Sequence, residues 1–194
     1  MSIIEEVYYN NLVYAIENGE DSQSAHAEQL QDKCLKNLKA VLNDSEKELF
    51  ERYCDAQESV EEFTHYHIFA YALKLGILLM AEAFAGRKDI TGERNHPETS
   101  ILHKLFGGEL NPAENIVPKD PRYRNVFQVI DEKESHLTEK LPPEEQKHLE
   151  DLGNLYLEAI YLDGSACFSH GFSLGASITS EAFADADKLM RKDY

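Results

Sequence analysis

The densest positive charge in this 194-residue chain lies at Lys119-Asp120-Pro121-Arg122-Tyr123-Arg124, inside a protein whose formal net charge is −17. Arginine's planar fork pairs bidentately with phosphates and other planar anions, and Tyr123 offers a stacking face between two guanidinium groups. Lys119, Arg122, Tyr123 and Arg124 are therefore the candidate contacts for a small anionic ligand. The corresponding stretch of the first half, Glu17-Asn18-Gly19-Glu20-Asp21, is acidic. The alternative is that these oppositely charged loops meet each other, within the chain or between copies of it.

Histidines and acids form weaker patterns. Glu62 with His65 and Glu145 with His148 have the i, i+3 spacing by which helices present carboxylate and imidazole to a di-iron centre. The two pairs do not occupy equivalent positions in the two halves of the chain, and no bridging glutamate on an apolar face accompanies them, so iron is not expected. His65-x-His67 separates two imidazoles by roughly 200° around a helix. Glu58, Glu61 and Glu62 cluster at one-turn spacing, as in all-α enzymes that cleave nucleotides with magnesium. No second acidic motif completes the set, and a solvated helix face accounts for it. An enzyme would have to place one of these glutamates beside acids from another helix. There is no glycine-rich phosphate loop, no G-x-S-x-G and no Cys–His arrangement. No metal, cofactor or catalytic residue is expected.

The elements that must position these residues come from a duplication. Displaced by 99 positions, Phe69, Leu75, Gly76, Glu82, Ala83, Phe84 and Ala85 fall on Phe168, Leu174, Gly175, Glu181, Ala182, Phe183 and Ala184. Displaced by 98, Ile3 to Tyr8 and Leu12 fall on Ile101 to Phe106 and Leu110. A repeat of this kind governs the fold. Each half reads as a short helix, an irregular loop, a medium helix and a long helix. The medium helix carries a stripe of Ala27, Leu30, Cys34, Leu38 and Val41. Its counterparts are Val126, Val129, Lys133, Leu137 and Lys140, with Leu42 and Leu141 closing the two stripes. Phe50, Tyr53, Val60 and Phe63 share a face of the long helix and align with Leu149, Leu152, Ala159 and Leu162.

Asn43-Asp44-Ser45, with Ser45 and Glu48 as a capping box, opens the first long helix. Pro142-Pro143-Glu144-Glu145 opens the second, proline suiting a helix's first position. The absence of alternating apolar runs predicts no strand of any length. The expected fold is all-α: two similar three-helix units packed as a pseudo-two-fold helical bundle, with a first repeat at 1–85, a linker at 86–99 and a second repeat at 100–194. The second long helix is rich in small residues, among them Gly164, Gly171, Gly175 and Ala176. These predict a tight helix crossing, or else room for a ligand.

Composition narrows the partners. Acids outnumber bases to a similar extent in both halves, which suits solvated faces and weighs against direct nucleic-acid binding; an acidic mimic of nucleic acid stays open. Hydrophobic residues at 42% suffice for a core. Cys34, Cys54 and Cys167 are few and widely spaced, as in a reducing cytoplasm. The start lacks a signal peptide's pattern. Lys74 and Glu82 interrupt the apolar stretch Ile68 to Ala85, which leaves it short of a membrane span. A cytoplasmic protein is expected.

The opening Ile3-Ile4-Glu5-Glu6-Val7-Tyr8-Tyr9, the middle segment Glu48 to Gln57 and the run Phe69-Ala70-Tyr71-Ala72-Leu73-Lys74-Leu75-Gly76 resemble an uncharacterised family of small all-helical domains common in Firmicutes, their mobile elements and phages. The first half matches throughout. The second is a divergent copy without the Tyr-x-x-Ala-Gln portion. The family brings no functional residues; it implies a bacterial or phage setting. The expected function is a non-enzymatic binding protein that engages a protein partner or its own copy through helix faces, in one version a phage inhibitor of a host defence protein. The alternatives are a binder that sequesters a nucleotide-like signal and a metal-dependent nucleotide hydrolase.

Overall fold

Turn chemistry defines the helices. In a computed structural model that describes residues 4–9, 22–86, 101, 104, 109 and 121–190, α1 spans Ser22–Val41, α2 Asp44–Gly86, α3 Pro121–Lys140 and α4 Pro143–Met190. Residues 4–9 are also helical, and no strand occurs among the described residues. The fold is all-α. The proposed linker at 86–99 lies outside the described residues but for Gly86.

The cap of α2 lies two residues earlier than Ser45–Glu48. Asn43 and Glu46 form a reciprocal capping box: the Glu46 N–H donates to Asn43 Oδ1 at 3.0 Å, and the Asn43 N–H donates to Glu46 Oε2 at 2.9 Å. Asn43 wins because it is the last non-helical residue, where a side-chain oxygen can reach an orphan N–H. α4 begins at Pro143 as expected. The Gln146 amide donates back to the Thr138 and Leu141 carbonyls at 2.8 and 2.9 Å, satisfying acceptors that α3 leaves open at its end.

The chain forms two compact units, and each draws on both sequence halves. One comprises Val13–Tyr66 and Pro118–Ala166; the other comprises Met1–Leu12, His67–Val117 and Cys167–Tyr194. In the first, here the bundle unit, α1, α3 and the leading parts of α2 and α4 enclose one core. Residues 99 apart share it: Leu38 with Leu137, Leu42 with Leu141, Phe50 with Leu149, Tyr53 with Leu152. Three apolar stripe positions differ from expectation; Val129 of α3 is exposed while Ile130 beside it is buried. Leu30 and Val41 are exposed, while Leu42, just past the end of α1, is buried through a bond from its N–H to the Leu38 carbonyl. Around a 3.6-residue helix Leu30 and Val41 both lie roughly 60–80° to one side of Leu38, whereas Leu42 lies roughly 40° to the other, so the buried face is centred past Leu38.

The second unit, here the crossing unit, is built on close backbone approach. A Cβ added to Gly171 would meet the Phe69 carbonyl at 2.7 Å; one on Gly76 would press still closer to the Phe172 carbonyl, and one on Gly175 to that of Leu73. The last two contacts are reciprocal, because Gly76 and Gly175, like Leu73 and Phe172, are 99 apart. Phe84 and Phe183, equivalent in the same way, stack on each other with centroids 4.8 Å apart. At Gly171 and Gly175 the small residues of α4 therefore serve packing. Tyr8 meets Phe69 edge-on at 5.4 Å, and the Ile101 N–H donates to Glu82 at 2.7 Å.

The stretch judged too interrupted for a membrane span does meet the length and composition of one. An 18-residue window within Asp44–Ala85 has a mean hydropathy of 1.8, and a third of it is buried. Two charges do not offset so apolar a run, and core helices of helical bundles share this character. Within the crossing unit Phe69, Ala72 and Leu73 of this stretch are buried.

Gly175→Leu is expected to destabilise the protein by about 1–3 kcal/mol through overpacking, read as a lower urea midpoint. Gly153→Ala, whose new Cβ would meet only the Tyr53 hydroxyl at 3.4 Å, should be neutral or stabilising by up to about 1 kcal/mol.

Candidate metal centre

Among the described residues of the basic segment, Arg122, Tyr123 and Arg124 do not share one helix face. Pro121 is the first residue of α3, so Arg122, Tyr123 and Arg124 occupy a helical turn rather than a loop, and Lys119 lies outside the described residues. Arg122 and Arg124 point about 200° apart around that turn. The Arg122 guanidinium lies 5.0 Å from the centroid of the Phe63 ring. Tyr123 packs edge-on against Phe127 at 4.8 Å, at the margin of the bundle core. Arg124 is exposed. A cavity of about 390 Å³ elsewhere in the bundle unit is lined by Ser45, Glu48, Leu49, Arg52, His136 and Lys140; Arg52 there is engaged by Glu48 at 2.7 Å.

The two i, i+3 pairs part company as well. Glu145 and His148 form a local contact at 3.0 Å on the first turns of α4. His65 takes its carboxylate partner from a different position. Glu61, one turn before it on α2, and Asp163 of α4 present ligand atoms that all lie within 4.8 Å of one another and of a His65 nitrogen. All three residues belong to the bundle unit. Of the two features expected of an enzyme, an acid from another helix beside Glu58, Glu61 or Glu62 and the binding of a divalent metal, the first occurs at Glu61.

The site arises from the lie of the helices. Residues four apart share a helix face, so Glu61 and His65 both project from α2 toward α4. His65 is 5% exposed, and its Nε2 is buried with no hydrogen-bond partner. The ring bonds the Ile160 backbone, which leaves Nδ1–H as donor and the Nε2 lone pair free. A buried polar atom without a partner costs about 1–3 kcal/mol. Burial lowers the His65 pKa; Asp163 and the Ile160 bond oppose that shift without reversing it. The imidazole is thus held neutral with one nitrogen fixed by a backbone carbonyl, the arrangement in which histidine binds metals.

Glu61 is half-buried and strained electrostatically. Its pKa is pushed up to about 7, first by burial and then by Asp163, Glu58 and Glu28. All three charged groups acting on it are acids, drawn from three helices. Ligand atoms of a four-coordinate ion are separated by about 3.4 Å, so small rotamer changes would close this set around a cation and relieve the repulsion.

Two polar bonds brace the layer below. Cys54 and Tyr156 are hydrogen-bonded, and Gln31 of α1 also bonds Tyr156. Burial pushes the Cys54 thiol up to about 11 and the Tyr156 phenol well above its ordinary value. Neither group ionises near neutrality.

Repeat logic hides this centre. Positions equivalent to Glu61, His65 and Asp163 carry Ile160, Gly164 and Thr64, so a search for matched pairs passes over it. The legible signal was Glu61-x-x-x-His65, a carboxylate and an imidazole one turn apart.

Below about pH 4.5 Glu61 is protonated whether or not the chain is folded, and its burial costs nothing. Between there and about pH 7 only the unfolded chain releases the proton, so stability falls as pH rises. Metal-free Glu61→Gln should therefore melt a few degrees above the native protein at pH 8 and level with it at pH 4, measured by calorimetry.

A model of DUF6809, a family of unknown function, matches residues 1–83 and again residues 99–182. The chain belongs to that family and matches it twice in tandem. No curated protein and no solved structure matches the chain.

Proposed function

We propose that this member of a family of unknown function binds a divalent metal ion through Glu61, His65 and Asp163. The observation that carries the reading is the buried, unpartnered Nε2 of His65 beside two carboxylates whose mutual repulsion a cation would relieve. One imidazole nitrogen with two carboxylate oxygens suits Zn²⁺, Mn²⁺, Fe²⁺ or Co²⁺ better than Mg²⁺ or Ca²⁺, which favour all-oxygen sites. Were these three the whole protein ligand set, the ion would retain water, and a metal-activated water is the reagent of a nucleotide hydrolase.

Chelator-treated full chain, loaded with Zn²⁺ or Mn²⁺ and dialysed, should retain about one ion per chain by mass spectrometric metal analysis. Metal at about 100 times its Kd should stabilise the fold by about 2.7 kcal/mol. His65→Ala should lose at least about tenfold in affinity. Equal retention by the native and His65→Ala proteins would overturn the assignment.

A second reading, helix-face binding, is supported by Leu157 and Tyr161. They lie one turn apart on α4, 60% and 77% exposed, at positions equivalent to Glu58 and Glu62. Such a pair suits a protein partner or a second copy of the chain; were the setting a phage or mobile element, as the sequence reading expects, the partner would be a host defence protein. Leu157→Ser with Tyr161→Ser should abolish any self-association seen by sedimentation velocity and leave metal retention unchanged. A native protein that sediments as a monomer at all concentrations would remove the self-association version.

A further inference from the structure

The carboxylates that press on Glu61 are not equivalent, and helix direction separates them. Tyr53 meets Gly153 and His65 bonds Ile160, so α2 and α4 run the same way through the bundle unit. α1 runs against α2, joined to it by the short turn at Leu42-Asn43. The Gln31–Tyr156 and Cys54–Tyr156 bonds bring α1, α2 and α4 together at one level. Glu28 is one turn before Gln31 on the same face of α1. Because α1 is antiparallel, that turn lies toward Glu61 and Asp163. Glu58 stands at a similar level on α2.

Side chains on a helix lean toward its N-terminus. On α2 and α4 this tilts Glu61, His65 and Asp163 back toward the level of Glu28 and Glu58. It tilts Glu58 away, toward Cys54 and Tyr156, the groups on which its charge also acts. On antiparallel α1 the lean carries Glu28 the other way, into the site. Glu28 is exposed and free of the core, so its rotamer can swing without repacking.

We propose that Glu28 supplies a fourth protein ligand to the ion held by Glu61, His65 and Asp163, so that metal binding ties α1 to α2 and α4. This inference rests on the metal assignment above. Four protein ligands make a closed, structural type of site rather than one left open for catalysis. Binding would then harden the bundle unit more than it would activate water.

Co²⁺ titration of the full-length, chelator-treated chain tests this, because four-coordinate Co²⁺ absorbs visible light far more strongly than six-coordinate Co²⁺. The native protein should develop the intense band. Glu28→Gln should still bind Co²⁺, with about tenfold or more lower affinity and a shifted band as water takes the vacated position, while its metal-free melting temperature does not fall, since removing the charge relieves Glu61. Glu58→Gln should keep the intense band. If Glu28→Gln keeps both band and affinity while His65→Ala loses both, Glu28 is not a ligand and the three-residue assignment stands. If Glu58→Gln loses the band instead, the fourth ligand is misassigned. A native protein that takes up no Co²⁺ overturns both readings.

Discussion

Neither half of this chain can bury its own apolar stripes. Phe50 and Tyr53 of the first half close a core only with Leu137, Leu141, Leu149 and Leu152 of the second, and most of the rest follows from that shared burial. Each large apolar side chain so enclosed contributes about 1.5–3 kcal/mol, and both halves supply them from equivalent positions. The compact units therefore mix the repeats instead of following them.

Close approach does for the crossing unit what apolar volume does for the bundle unit. Gly76 and Gly175 each stand where any Cβ would press on a backbone carbonyl of the opposite helix. Glycine costs about 1 kcal/mol within a helix, so two equivalent glycines, each against the opposite backbone, mark a crossing whose dispersion contacts offset that cost. The stacked Phe84 and Phe183 continue the same reciprocity.

Against this background of matched positions the candidate metal centre is an exception. Ile160 and Gly164 occupy the positions equivalent to Glu61 and His65, and the Ile160 backbone orients the histidine opposite. Duplication supplies a stable scaffold from matched residues and leaves a few positions free to diverge. A buried imidazole with an idle nitrogen and a half-buried carboxylate with a raised pKa both reduce stability, and both are concentrated in one copy. The exposed pair Leu157 and Tyr161 marks a second divergence, at positions that carry glutamate in the first half.

The sequence by itself determined the helical class, the duplication, the paired stripes and the long-helix faces, because periodicity and repeat register are local or internally redundant signals. Phe50, Tyr53, Val60, Leu149 and Leu152 were legible as core for that reason. Cap registers were less so: Asn43–Glu46 and Ser45–Glu48 both satisfy the pattern, and only the start of the helix chooses between them. Tertiary structure alone decided that Asp163 meets Glu61 and His65, since a carboxylate about 100 positions away leaves no trace in spacing. It also dispersed Arg122, Tyr123 and Arg124, whose adjacency in the chain becomes divergence once the segment is helical. Composition records which chemical groups are available, but only packing brings them within reach of one another.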